Sequence, residues 1–190
     1  MDRLKERIIS EGIVYPGNIL NVGSFLNQCI DTTLTYEMAL EIKRLYSNDL
    51  ITVVLTMESS GITLAFATAN TLRVPMVFAK KHISSNLGST LISTKIHSFT
   101  YGNDYIATVD NRYIAPYDKV LVVDDFLANG EALAGMIDLV KQSGASLVGA
   151  AIAIEKGFQG AGDRLRAEGI RVESLAIIEA MSPEEGVVFR

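Results

Sequence analysis

The chain has one cysteine, Cys29, in 190 residues. A single thiol cannot close an internal disulfide, and there is no CxxC pair or Cys/His cluster at zinc-ligand spacing, so the fold must rest on an apolar core in a reducing compartment. Long hydrophobic runs are also lacking. No apolar stretch reaches membrane-spanning length, and the first residues, MDRLKERIISEG, are charged and amphipathic, unlike a secretory signal. Basic excess is missing as well: the net charge of −5 offers no electrostatic footprint for nucleic acid, so any cationic site must be local. No GxxxxGK[ST] loop occurs, which excludes a P-loop nucleotide hydrolase. A soluble cytoplasmic protein is expected, with neither nucleic acid nor membrane as partner.

What is present fits one α/β domain over residues 1–190, since a chain of this length buries a large core unaided. Leu4, Ile8 and Ile9 predict a short first helix closed by Gly12. Residues 13–30 show no clear period and read as an irregular covering segment. Leu34, Met38, Ile42 and Leu45 predict a helix capped by Asp31 or Thr32. Residues 51–57 read as a buried strand, 58–61 as a tight turn, 62–73 as a helix, and MVFA after Pro75 as another strand. Strand, helix, strand with short connections implies parallel pairing. Residues 81–96, rich in Ser, Thr, Asn and Gly, predict a mobile loop. IHSFT and DYIATVD then predict an antiparallel pair around YGND. Strands over residues 119–123, 147–154 and 173–178, helices over 130–142 and 163–167, and an edge strand in the tail complete the pattern.

In an open parallel sheet, ligands bind beyond the carboxyl ends of the strands. The most informative such junction is VLVVDDFLANGEA, residues 120–132, where Asp124 and Asp125 precede a short loop running into a helix. Exposed N–H groups at that helix start can cradle a phosphate, Gly130 permits close backbone approach, and the carboxylates suit sugar hydroxyls or the waters of a Mg²⁺ ion. The same letters also fit a strand end followed by an ordinary helix cap, and pattern alone does not separate the two readings. A response regulator would carry its acidic pair near the first strand, whereas this one lies two thirds along the chain.

The VLVVDDFLANGEA segment resembles the phosphoribosyl-diphosphate motif of type I phosphoribosyltransferases, with Asn129 where many members have Thr. The likeness runs through SFLNQCID, MESSGI, VPMVFAKKH and AIEKGFQ, and its wording is that of the bacterial branch acting on xanthine. The resemblance implies an α/β fold with a twisted, mainly parallel sheet flanked by helices, a small N-terminal hood from residues 1–30 and a flexible loop. It implies phosphoribosyl diphosphate and xanthine as substrates in purine salvage, Mg²⁺ as cofactor and a homodimer.

Carried over residue by residue, Ala128, Asn129, Gly130, Glu131 and Ala132 match the 5′-phosphate loop, and Asp124 and Asp125 match the catalytic pair near the ribose hydroxyls. Glu58, Ser59, Ser60 and Gly61 match the turn that meets pyrophosphate, and Lys80 and Lys81 match basic residues that reach pyrophosphate, often in the neighbouring subunit. For the base, Lys156 is placed to reach a 6-oxo group and favour the xanthine anion, Phe158 to stack, and Leu20 and Asn27 to read the 2-oxo edge from the hood. Pur-operon repressors share this fold and motif behind a winged helix; about thirty residues precede the core here, too few for one. An adenine or orotate enzyme would keep the same donor loop and change the hood.

Overall fold

The computed structural model of the protein describes residues 1–81, 90–98 and 103–190. Helix α1 (Asp2–Glu11) buries Leu4 and Ile8, one turn apart on one face, and ends at Gly12, where a Cβ would collide with the Ile8 carbonyl. Strands β1 (Ile13–Tyr15) and β2 (Ile19–Asn21) form a separate antiparallel hairpin whose turn holds Gly17 and Asn18 at φ 82° and 61°. A π-helical turn, Gly23–Asn27, follows and buries Phe25 and Leu26. The hood is therefore more ordered than the sequence predicts: three-residue strands with one buried side chain, Leu20, are too short to display an alternation.

Asp31 caps α2 (Thr32–Leu45), its Oδ1 accepting from the Leu34 N–H at 3.0 Å. Then come β3 (Val53–Met57), α3 (Gly61–Leu72), β4 (Met76–Ala79), the hairpin β5 (Leu91–Ser98) and β6 (Asn103–Asp110), β7 (Lys119–Leu127), α4 (Glu131–Ser143), β8 (Ser146–Lys156), α5 (Ala161–Ala167), β9 (Val172–Ser182) and β10 (Gly186–Phe189). The main sheet has the order β10-β9-β8-β7-β3-β4; only β10 runs antiparallel to its neighbour.

Two apolar clusters cover its faces. Leu4, Phe25, Leu34, Met38 and Leu64 pack with Leu121 and Val123 on one side. Leu133, Met136, Ile96 and Val109 pack with Val120 and Val122 on the other. This alternation along β7 slips by one residue after Val123, since Phe126 packs with the first cluster and Leu127 with the second. The slip falls at Asp124 and Asp125.

The loop expected over residues 81–96 is corrected in part. Residues 91–96 belong to β5, paired with β6 in a register running from Leu91↔Asp110 to Ser98↔Asn103. Its Ser- and Thr-rich letters read as loop because polar alternation also suits a strand that packs one edge on a helix, here Ile96 against Gly135 of α4. Residues 82–89 of that expected loop, and residues 101 and 102 of the expected YGND turn, lie outside the described residues.

Candidate active site

The carboxyl ends of β3, β7 and β8 open beneath the hood into a cleft of about 800 Å³. Its walls include Ser59, Ser60 and Lys81 from the β3 side, and Asp125, Phe126, Ala128 and Asn129 from β7 and the loop after it. Lys156 and Gln159 line it from β8 and the turn that follows, and Asn18, Leu20, Asn27 and Gln28 from the hood.

The two adjacent carboxylates have different settings. Asp125 faces the cleft and its Oδ1 accepts the Ser60 hydroxyl at 2.9 Å, which ties the turn after β3 to β7. Asp124 lies behind the first turn of α3, 8 % exposed, with its Oδ1 accepting the Asp125 N–H at 3.0 Å. A Cβ on Gly61 would collide with both Asp124 Oδ1 and Thr56 Oγ1, so glycine is required for this packing. Burial, reinforced by the neighbouring Asp125, pushes the Asp124 carboxyl well above the ordinary carboxylate range. The pair thus supplies one carboxyl held toward its neutral form and another presented to the cleft.

After β7, Gly130 adopts φ 93° and α4 begins at Glu131. Ala132 follows in the first helical turn, where backbone N–H groups have no partner within the helix and can meet an anion. Gly130 packs closely enough on α5 that a Cβ would come within 3.0 Å of the Ala161 Cβ. From α5, Arg164 donates to the Asn129 carbonyl at 3.1 Å and, at the limit of hydrogen bonding, to the Gln159 carbonyl at 3.5 Å.

Lys156 ends β8 half-buried. Its Nζ donates to the Asn18 carbonyl of the hood at 2.8 Å and lies 5.8 Å from the centroid of the Phe126 ring. Burial lowers its pKa from the usual lysine value. The preceding residue, Glu155, is 1 % exposed and points away from any substrate role. Its carboxylate takes both Nη groups of Arg166 at 3.0 and 2.6 Å and the Ser174 hydroxyl at 2.5 Å, fixing the strand that carries Lys156.

Several expected site residues stand behind the cleft wall or away from it. Glu58 accepts the Lys81 N–H at 2.6 Å, so it holds the base of the next segment in place. Lys80 pairs through its backbone with Thr108 and borders a separate apolar groove with Phe78 and Tyr113. Phe158 is 37 % exposed and does not line the cleft; the aromatic ring that does is Phe126. Phe126, Gln28 and Gln159 went unmarked in the sequence reading. For Phe126 the available signal was its position directly after the acidic pair.

Among the described residues no helix is long and apolar enough to cross a membrane. The family model for the phosphoribosyl transferase domain matches residues 34–170. The chain is similar to the xanthine phosphoribosyltransferase of Lachnoclostridium phytofermentans, 50% identical over 191 residues that take in 100% of this chain and 98% of the relative. It is also similar to that of Alkaliphilus metalliredigens, 47% identical across 100% of this chain and 94% of the relative. Among solved structures, adenine phosphoribosyltransferase from Giardia lamblia, complexed with 9-deazaadenine, superposes with TM-score 0.77 at 21% identity, covering 93% of this chain and 98% of that one. That from Rhodothermus marinus gives 0.72 at 26% identity, covering 93% and 97%.

Proposed function

The chain belongs to the phosphoribosyltransferase family, and from that premise we propose that it transfers the 5-phosphoribosyl group of phosphoribosyl diphosphate to xanthine, yielding xanthosine 5′-monophosphate and pyrophosphate in purine salvage. The observation that supports this best is a single cleft in which Asp125 and the loop before α4 face Asn27 and Lys156. One side suits a phosphorylated sugar and the other a purine.

On the donor side, the N–H groups of residues 128–132 would hold the 5′-phosphate and Asp125 the ribose hydroxyls. Ser59, Ser60 and Lys81 would meet the pyrophosphate. No group of three potential ligand side chains occurs among the described residues, so the Mg²⁺ would be held chiefly by donor phosphates, with Asp125 near its waters. When bound, it neutralises charge on the leaving pyrophosphate. Asp124, nearer its neutral form, suits a supporting hydrogen bond to the loop rather than ligation.

On the base side, the Lys156 ammonium would meet the 6-oxo group and favour the anionic base, and Asn27 would pair with the 2-oxo edge. Leu20 supplies an apolar wall, and Phe126 takes the stacking role expected of Phe158. Bond breaking at the anomeric carbon passes through an oxocarbenium-like state, so alignment and exclusion of water are the main work of the protein. The reading includes a homodimer acting in the cytoplasm, with Lys80 serving the partner's site. An active monomer in sedimentation would refute the dimer. A spectrophotometric screen with phosphoribosyl diphosphate, Mg²⁺ and each base tests the substrate: preference for adenine or orotate would overturn xanthine.

A further inference from the structure

Among the described residues, Gln159 is the one side chain lining the cleft whose buried oxygen, Oε1, has no hydrogen-bond partner. A buried amide oxygen without a donor is unfavourable, and such groups in folded proteins are usually matched by something. The side chain does not hang on a loose loop. It sits on the turn Gly157–Gln159, closed by a hydrogen bond from the Gly160 N–H to the Gly157 carbonyl at 2.9 Å, and Gly160 at φ 72° then starts α5. Its backbone carbonyl faces Arg164, and Phe158 points outward while Gln159 points in. The turn that carries this cleft-lining residue is therefore a fixed scaffold, from which a change of side-chain rotamer brings the enclosed amide to a bound ligand.

We propose that Gln159 reads the imidazole edge of the bound purine, its Oε1 accepting the N7–H. This rests on the xanthine reading above. Gln159 follows Lys156, which would take the 6-oxo group, by three residues, and its carbonyl shares Arg164 with that of Asn129, which would border the sugar-phosphate end. Around a purine, the path from the 6-oxo carbon to N9 on one side passes N7, and on the other passes N1, C2 and N3. The hood, through Asn27, serves the second path, which leaves N7 to Gln159. Lys156 has no acceptor to offer, and its Nζ donates to the Asn18 carbonyl of the hood.

The chemistry gives this contact a purpose. Keeping the hydrogen on N7 leaves the N9 lone pair free; it forms the bond to the anomeric carbon as the electrons of the carbon–oxygen bond depart with pyrophosphate. The N7 proton then passes to the released pyrophosphate or to water, since an amide does not take it. Turned by half a rotation, the same amide offers Nε2–H to the unprotonated N7 of the nucleotide product.

The test compares wild type, Gln159→Leu and Gln159→Glu, with xanthine as substrate and 7-deazaxanthine as competitive inhibitor. Circular dichroism and the KM for phosphoribosyl diphosphate report folding and the donor site. Gln159→Leu should raise the KM for xanthine about tenfold, leave that for phosphoribosyl diphosphate within about twofold, and leave the 7-deazaxanthine inhibition constant nearly unchanged. Gln159→Glu, which keeps the acceptor, should recover most of the xanthine affinity. An unchanged xanthine KM in Gln159→Leu overturns the proposal, as does an equal loss for phosphoribosyl diphosphate or for the 7-deaza analogue. If wild type prefers another purine, the substrate reading fails instead, and the comparison is repeated with that base and its own 7-deaza analogue.

Discussion

The two sides of the cleft are built differently. The side proposed for the donor rises from within the six-stranded sheet: β3 and β7 are neighbours, buried over most of their length, and Ser60 bridges their ends to Asp125. The side proposed for the base hangs from the hood, whose two three-residue strands pair, among the described residues, only with each other and which meets β8 through the Lys156 ammonium on the Asn18 carbonyl. Rigid strand ends suit the sugar-phosphate chemistry that every base shares, because charge development needs groups held in advance. A small hairpin at the surface suits the choice of base, since its exposed residues can vary while Leu20 stays anchored in the core.

The largest expected effect tests the first half of that contrast. Asp125→Asn should lower kcat by about 10²- to 10³-fold with every accepted base, read in steady-state assays. A loss confined to xanthine would break the comparison. Lys156→Ala should lower kcat/KM for xanthine by about 10- to 100-fold and leave the KM for phosphoribosyl diphosphate unchanged. Similar losses on both substrates would merge the two sides. The pH profile sharpens the point. Because burial lowers the Lys156 pKa, its ammonium is lost as pH rises at values below the ordinary lysine range, so kcat/KM for xanthine should fall on an alkaline limb. Lys156→Arg, which stays charged, should move that limb upward, and an unmoved limb would assign it to another group.

The smallest effect concerns stability. The Asp124 carboxyl is pushed up by burial in the folded state, so the native protein holds its proton more tightly than the unfolded chain does. That contribution is complete below the unfolded pKa and is lost as pH rises through the folded one. Asp124→Asn, uncharged at any pH, should therefore raise Tm at pH 8 by about 3 °C, the shift that about 1 kcal/mol produces in a chain of this size, and change it less at pH 4. Its loss of turnover should be smaller than that of Asp125→Asn. Destabilisation at pH 8 would mean that Asp124 is charged and paired.

Much of the donor side was legible because it depends on local order in the chain: an apolar strand, two carboxylates, a glycine and a helix. The unequal fates of Asp124 and Asp125 were not legible, since they follow from the slip in alternation after Val123 and from the first turn of α3, which is far away in sequence. On the base side, Lys156 was readable as a polar residue after a strand, whereas Phe126 and Gln159 become cleft residues only when β7 and β8 lie side by side. Phe158 falls outside the cleft lining for the same reason, because the turn Gly157–Gln159 leaves it exposed.

Arg164 touches a carbonyl on each side, at Asn129 and at Gln159. One planar cation thus joins the proposed phosphate loop to the turn that would present the purine contact. A shift of either loop on occupancy would alter the bonding of the other, and would thereby link the free energies of the two ligands. Linkage of this kind is reciprocal: whatever factor a bound sugar phosphate adds to the affinity for base, the base returns to the sugar phosphate.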